Sequence, residues 1–280
     1  MPIALERAQL LFAKLERSLQ KLSAQQQPER VHSFRTNTRR LETLLEELVA
    51  QRSRNQKKLL KMLGGVRKRA GKVRDLDVQL AVLRSLKIGQ EPRRKTELTQ
   101  GLIELRAAQE KKLRKMLTRE LLRETRRRLK KASKEVKYVR CRDPLAVAHD
   151  ILARATAPAA PLTEDVLHQY RIRVKRARYA AEFATRSAQA ERFTAQLKQL
   201  QDALGRWHDW LTLTHTATEL LGGVHESPLV AALHIVTGGK FRQAVAALSI
   251  PPTHLLALKP VPLPAPAMRK PGTKTQTQAA

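Results

Sequence analysis

The sequence predicts an all-α protein. Apolar residues recur at three- and four-residue spacing along most of the chain, and no useful length alternates with period two. A basic motif with helical spacing also occurs twice, in the same orientation.

The elements follow in order. Leu5, Leu11, Phe12, Leu15, Leu19 and Leu22 form the apolar stripe of a first helix. Pro28 opens a second, where its missing N–H costs nothing and its fixed φ suits the first turn. Val31, Phe34, Leu41, Leu45 and Leu48 continue its stripe. A third helix is expected from about Gln56 to Ser85, with a soft point at Gly64–Gly65. Ile88 to Pro92 reads as a turn, and one long helix is expected from about Arg94 to Lys137. Asp143 and Pro144 read as the cap and first residue of the next helix, and Ala157 to Pro161 as a linker. Further helices are expected at about Thr163–Ser187, Glu191–Leu221 and from Ser227-Pro228 onward. From Ile250 the chain carries Pro251, Pro252, Pro260, Pro262, Pro264, Pro266 and Pro271, which excludes a helix and predicts a disordered or loosely draped tail.

Charge sets the functional bounds. Of 280 residues, 55 are Lys or Arg and 25 Asp or Glu, a formal net charge of +30. Such a surplus repels itself in the compact state, and a polyanionic partner would relieve it. Nucleic acid, an acidic membrane surface and polyphosphate all qualify. Aromatic residues are only 4%, which argues against single-strand nucleic-acid binding by base stacking. The single cysteine, Cys141, excludes an internal disulfide and a cysteine-based zinc site, and fits a reducing cytosol. The N-terminal sequence lacks the apolar segment of a signal peptide, and no run approaches the ~18 apolar residues of a membrane span. The expectation is a soluble cytoplasmic protein with no membrane insertion.

The repeat is the informative feature. One copy reads His32-x-x-Arg35-x-x-x-Arg39-Arg40, preceded by Val31. The other reads His168-x-x-Arg171-x-x-x-Lys175-Arg176, preceded by Leu167, at a constant offset of 136 residues. Each copy has a second element downstream: Gly71-Lys-Val-Arg74-Asp75-Leu76 and Gly205-Arg-Trp-His208-Asp209-Trp210, at an offset of 134. The chain therefore reads as two related halves, 1–140 and 141–250, followed by the Pro-rich tail 251–280.

On a helix, Arg39 lies about 20° and Arg35 about 60° to one side of His32, and Arg40 about 80° to the other. Val31, Phe34, Leu41, Leu45 and Leu48 cluster on the opposite face. The second copy places His168, Arg171, Lys175 and Arg176 in the same way, with Arg178 beside Arg171. Arg pairs bidentately with phosphate oxygens, Lys adds a mobile point charge, and His adds a donor whose pKa a bound anion raises. A solvated basic face is the alternative for either stripe alone, but it gives no reason to keep the same motif in both halves.

These residues resemble the CHAD family, the histidine α-helical domain. The resemblance covers roughly residues 1–250 and rests on both His-x-x-Arg helices, on Arg74-Asp75-Leu76-Asp77-Val78, and on Leu200 to Gly205 followed by His208-Asp209. It implies two four-helix bundles related by a pseudo-twofold axis, and a basic central groove binding inorganic polyphosphate. The matching positions are His32, Arg35, Arg39, Arg40 and Arg74 in the first half. Those of the second half are His168, Arg171, Lys175, Arg176 and Arg178, with Lys198 also fitting. The counterpart of Lys198 in the first half is Gly64, a departure from a symmetric site. Members of the family are often fused to a triphosphate tunnel domain, for which this chain has no strand-rich segment.

Lys111 to Arg142 holds 15 basic and 3 acidic residues and reads as a solvated helix or a wall of the groove. Asp75 and Asp209 read as buried partners of nearby Arg rather than general bases, and Trp207 and Trp210 as core. His32, His168 and His208 could converge on a metal, but the surrounding Arg would repel a cation. No Walker loop, Gly-rich nucleotide fingerprint or His-Glu-x-x-His motif is present. The expected function is non-catalytic binding of polyphosphate, with no metal or cofactor and with association to polyphosphate granules following from binding. Non-specific RNA or DNA binding is the alternative, and some is expected at low salt in any case. Oligomeric state is not legible in the sequence.

Overall fold

A computed structural model describes residues 3–86, 92–154 and 162–249. Among them are nine α-helices: α1 (Leu5–Ala24), α2 (Pro28–Thr43), α3 (Arg54–Ser85), α4 (Pro92–Met116), α5 (Arg119–Val136), α6 (Pro144–Ala153), α7 (Glu164–Ala181), α8 (Ala188–Leu221) and α9 (Pro228–Ser249). No strand occurs among the described residues; two isolated bridges, Ile3 to Ala184 and Val49 to Cys141, are all that pairs in extended conformation. The fold class is all-α, as the apolar spacing predicts. Most of the turn expected at Ile88–Pro92, the linker Ala157–Pro161 and the Pro-rich tail lie outside the described residues.

The helix starts follow local chemistry. Ser53 caps α3 with a full capping box, its hydroxyl accepting from the Gln56 amide while Gln56 reaches back. Thr118, Asp143, Thr163 and Ser187 accept from the first-turn amides of α5, α6, α7 and α8. Pro28 and Pro144 occupy first-turn positions.

The structure differs from the sequence reading in several places. The long helix expected from Arg94 to Lys137 is two helices, broken at Leu117–Thr118, where Thr118 caps α5. The break lets α4 pack on α3 and α8 while α5 packs on α1 and α3. The α2 stripe ends in a π-helical turn, Leu44–Leu48, whose Leu44, Leu45 and Leu48 are buried. The third helix starts two residues earlier than expected, at Arg54. The helix expected to reach Ser187 ends at Ala181, because Phe183 and Ala184 turn into the core and Ala184 bridges Ile3. At Gly64–Gly65 α3 continues unbroken; Gly65 instead makes room for Met116, whose Cε would stand 3.1 Å from an added Cβ.

Packing positions the motif helices. α1, α2, α3 and α5 form a closed ring of neighbours, and α6, α7, α8 and α9 pack in succession. Between the sequence halves, α2 meets α7 and α3 meets α8. Each of these four helices carries one copy of a repeated element. The main core joins residues of both halves, from Leu15, Phe34 and Leu45 to Val174, Phe193 and Trp207. A second cluster joins Leu76, Leu83 and Leu98 to Leu213, Leu229 and Leu233. Each such side chain contributes about 1.5–3 kcal/mol on burial, so neither half keeps its apolar contacts without the other.

Candidate anion-binding site

The apolar face of α2 (Val31, Phe34, Leu41) is fully buried, which turns His32, Arg35 and Arg39 outward toward α7 and α3. On α7, Leu167, Val174 and Ala177 are buried and orient His168, Arg171 and Lys175 in the same way. The two stripes meet. Arg171 and Lys175 each lie within electrostatic reach of Arg35 and Arg39, and His32 lies within reach of Lys175 and Arg74.

Local contacts hold the centre. Arg35 Nη2 stands 3.7 Å from Asp75 Oδ1. Its guanidinium lies so close over Gly71 that a Cβ there would collide with it. Gly71 is thus the first residue of the downstream element for a steric reason. Its counterpart Gly205 has open space. The His168 and His208 rings meet at a tilt of 46°, with centroids 4.9 Å apart. Trp207 is fully buried, and Trp210 packs against the second core cluster.

The electrostatics report crowded, poorly compensated positive charge. Burial, with Arg171 next and Arg39 and Arg35 adding to it against the opposing Asp209, brings the Lys175 ammonium down to about 7. Burial, followed by Arg171, His168 and Lys175, brings the His208 imidazole down to about 3. Desolvation and neighbouring cations also lower His32 and His168. Burial lowers Arg35, Arg39 and Arg171, with neighbouring guanidinium groups adding to it. Burial raises the Asp209 carboxyl, against the pull of Arg171 and Lys175. Arg171 Nε and His208 Nδ1 are buried and have no hydrogen-bond partner among the described residues. Among those residues no three His, Cys, Asp or Glu side chains converge as a metal site would require.

The remaining sequence-predicted residues sit at the edges. Arg40 Nε donates to Glu182 Oε2 at 2.7 Å, and Arg178 donates to Glu182 Oε1 at 2.5 Å and to Gln201 at 2.8 Å. Both guanidinium groups flank the Tyr179 ring, at 5.7 and 4.8 Å. Arg176 pairs with Glu46 at 2.6 Å and Glu47 at 3.1 Å. Arg40 and Arg176 thus tie the halves together through carboxylates, and Arg178 holds Glu182 in place from within α7. Lys198 is 67% exposed, pairs with Asp202, and lies on α8 about 15 Å along the axis from His208. Arg74 stays close to the centre, within reach of His32, Arg35 and Asp209. Asp75, expected to be buried, is 60% exposed, though its partner is an arginine as expected. Arg67 escaped the sequence reading. It adjoins Arg35 and Arg39 and pairs with Glu42 at 2.6 Å. It lies four residues before Gly71, on the same face of α3 as Arg74, and that spacing was its only available signal.

Residues 6–218 match the family model of the CHAD domain. The chain belongs to the CHAD domain family. A crystal structure of the CHAD domain from the plant Ricinus communis superposes with a TM-score of 0.66 at 21% identity, covering 89% of this chain and 89% of that one. At that identity the likeness is one of fold. No curated protein matches the chain. The match covers every repeated motif, so the cationic residues of α2, α3, α7 and α8 lie within the CHAD domain.

Proposed function

We propose that this CHAD domain binds inorganic polyphosphate, without catalysis, in a groove lined by the stripes of α2 and α7. The observation that supports it is the gathering of Arg35, Arg39, Arg171 and Lys175, with Asp75 and Asp209 beside them and Glu42 near Arg39 already paired with Arg67. Charge is poorly compensated there: burial first, then Arg171 with Arg39 and Arg35, holds Lys175 at about 7 against the pull of Asp209. A linear anion with one charge per unit is the partner that would neutralise it, and would give Arg171 Nε an acceptor. His32, Arg74 and His168 add donors at the margin. Arg40, Arg176 and Arg178 keep the walls in place through Glu182, Glu46 and Glu47. Phosphoryl transfer would need carboxylates free to hold Mg²⁺, whereas Asp75 and Asp209 both face guanidinium groups. Localisation at cytoplasmic polyphosphate granules would follow from binding.

The test is competition at about 150 mM salt, where loosely held polyanions are released. Labelled long-chain polyphosphate is displaced by RNA, duplex DNA or heparin, on wild type and on Arg35→Ala/Arg39→Ala/Arg171→Ala/Lys175→Ala. The variant's folding is checked by circular dichroism. The expected result is preference for polyphosphate and a loss of at least about 100-fold in the variant. Competition in proportion to charge, with the variant unaffected, would sink the reading in favour of non-specific nucleic-acid binding.

A further inference from the structure

The basic residues outside the centre are not spread evenly. On α3, take Arg67, which faces the centre, as zero. Gly71, under the Arg35 guanidinium, then lies about 40° round the helix, and Gly65, under Met116, about 160° in the same direction. Lys68, Lys61 and Lys72 fall between them, at about 100°, 120° and 140°. All three are exposed, and none has a carboxylate within ion-pair distance among the described residues. They form an edge leading from the centre to the α4–α5 junction.

α5 continues that edge. It runs back antiparallel along the first half of α3: Asn55 Nδ2 donates to the Arg128 carbonyl at 3.2 Å, and Ser53 Oγ donates to Glu135 at 2.8 Å. Thr125, Leu129, Ala132 and Val136 are buried, so Lys131 and Lys134 point outward. Of the three acidic residues of α5, Glu120 sits exposed on this face in the first turn, beside Arg123, and the other two are engaged elsewhere. Glu124 is held by Arg127 and Arg128, and Glu135 by Ser53 and Asn55. The 18 residues of α5 extend the edge by about 27 Å.

We propose that the lysine edge of α3 and the outer face of α5 form an exterior track continuous with the groove, which engages the part of a polyphosphate chain that the groove does not hold. This rests on the polyphosphate reading and adds a consequence to it: affinity grows with chain length. The short, enclosed centre selects the anion, and the open track adds contacts for long chains only.

Titrations of tripolyphosphate and of long-chain polyphosphate compare wild type with Lys61→Gln/Lys68→Gln/Lys72→Gln/Lys131→Gln/Lys134→Gln. All five positions are exposed, so the variant keeps its fold. Expected is an unchanged tripolyphosphate affinity, a long-chain affinity at least about ten-fold weaker, and a long-chain log–log salt slope shallower by roughly 3, by analogy with counterion release from nucleic acids. An unchanged long-chain affinity and slope would overturn the track, as would equal weakening of both probes. So would a variant that loses RNA binding while polyphosphate binding stands, since the surface would then belong to nucleic acid. Wild type that binds both probes equally per site removes the track and leaves the groove standing. Wild type that binds neither removes both.

Discussion

Lys175 shows how a single side chain reports the state of the site. Its ammonium is held at about 7 by burial and by Arg171, Arg39 and Arg35, against the opposing pull of Asp209. A bound anion favours the charged form and raises that value. Binding therefore takes up a proton above pH 7. Affinity is greatest below pH 7 and falls as pH rises toward the bound-state pKa. Calorimetry in buffers of different ionisation enthalpy reads this uptake directly, and Lys175→Met abolishes its share. The free protein behaves in the opposite sense. The folded pKa lies below that of the unfolded chain, so between about 7 and 10 the unfolded state binds the extra proton. Stability then rises with pH, by up to about 1.4 kcal/mol per unit. Gly71 gives a second residue-scale prediction. Gly71→Ala adds helix propensity worth about 0.5–1 kcal/mol but displaces the flexible Arg35 guanidinium. Thermal stability should hold or rise while polyphosphate affinity drops several-fold; a parallel loss of both would contradict this account.

At the scale of elements, connections decide more than helix interiors. α7 ends at Ala181 because Glu182 receives Arg40 from α2 and Arg178 from α7, while its carbonyl and that of Ala184 accept from Arg7 of α1 at 2.9 and 3.0 Å. One partly buried carboxylate thus joins α2 to α7, and the adjoining backbone carbonyls add α1. Glu182→Gln removes its charge without changing its shape and should cost about 1–2 kcal/mol, discounted for solvent screening, as a lowered denaturant midpoint at unchanged slope. The helices themselves were legible: the stripes of Leu11–Leu22 and Val31–Leu41 are the buried faces observed. The α4–α5 break was not. Leu117 and Thr118 are compatible with a continuous helix, and only the separate partners of α4 and α5 select the interruption.

For the whole molecule, the two core clusters cross between the sequence halves, joining Phe34 to Phe193 and Leu83 to Leu229. A single cooperative unfolding transition is therefore expected, coincident by far-UV and near-UV circular dichroism; two resolved transitions would show that the halves are independent. The +30 charge adds a global term. Moderate salt should raise the melting temperature of the free protein by screening self-repulsion, and polyphosphate should raise it further at far lower ionic strength.

The sequence by itself determined the all-α class, the positions of most helices, and the His-x-x-Arg faces whose charged residues share one side. These depend on local spacing, which a helix converts into geometry whatever surrounds it. Tertiary structure alone decided which charges stay uncompensated. Arg35, Arg39, Arg171 and Lys175 read the same as Arg40 and Arg176 in the sequence, yet the latter two meet Glu182, Glu46 and Glu47 from the other half. A carboxylate more than 100 residues away neutralises an arginine only when packing brings them within a few ångströms, because the interaction falls away over that distance in water and salt.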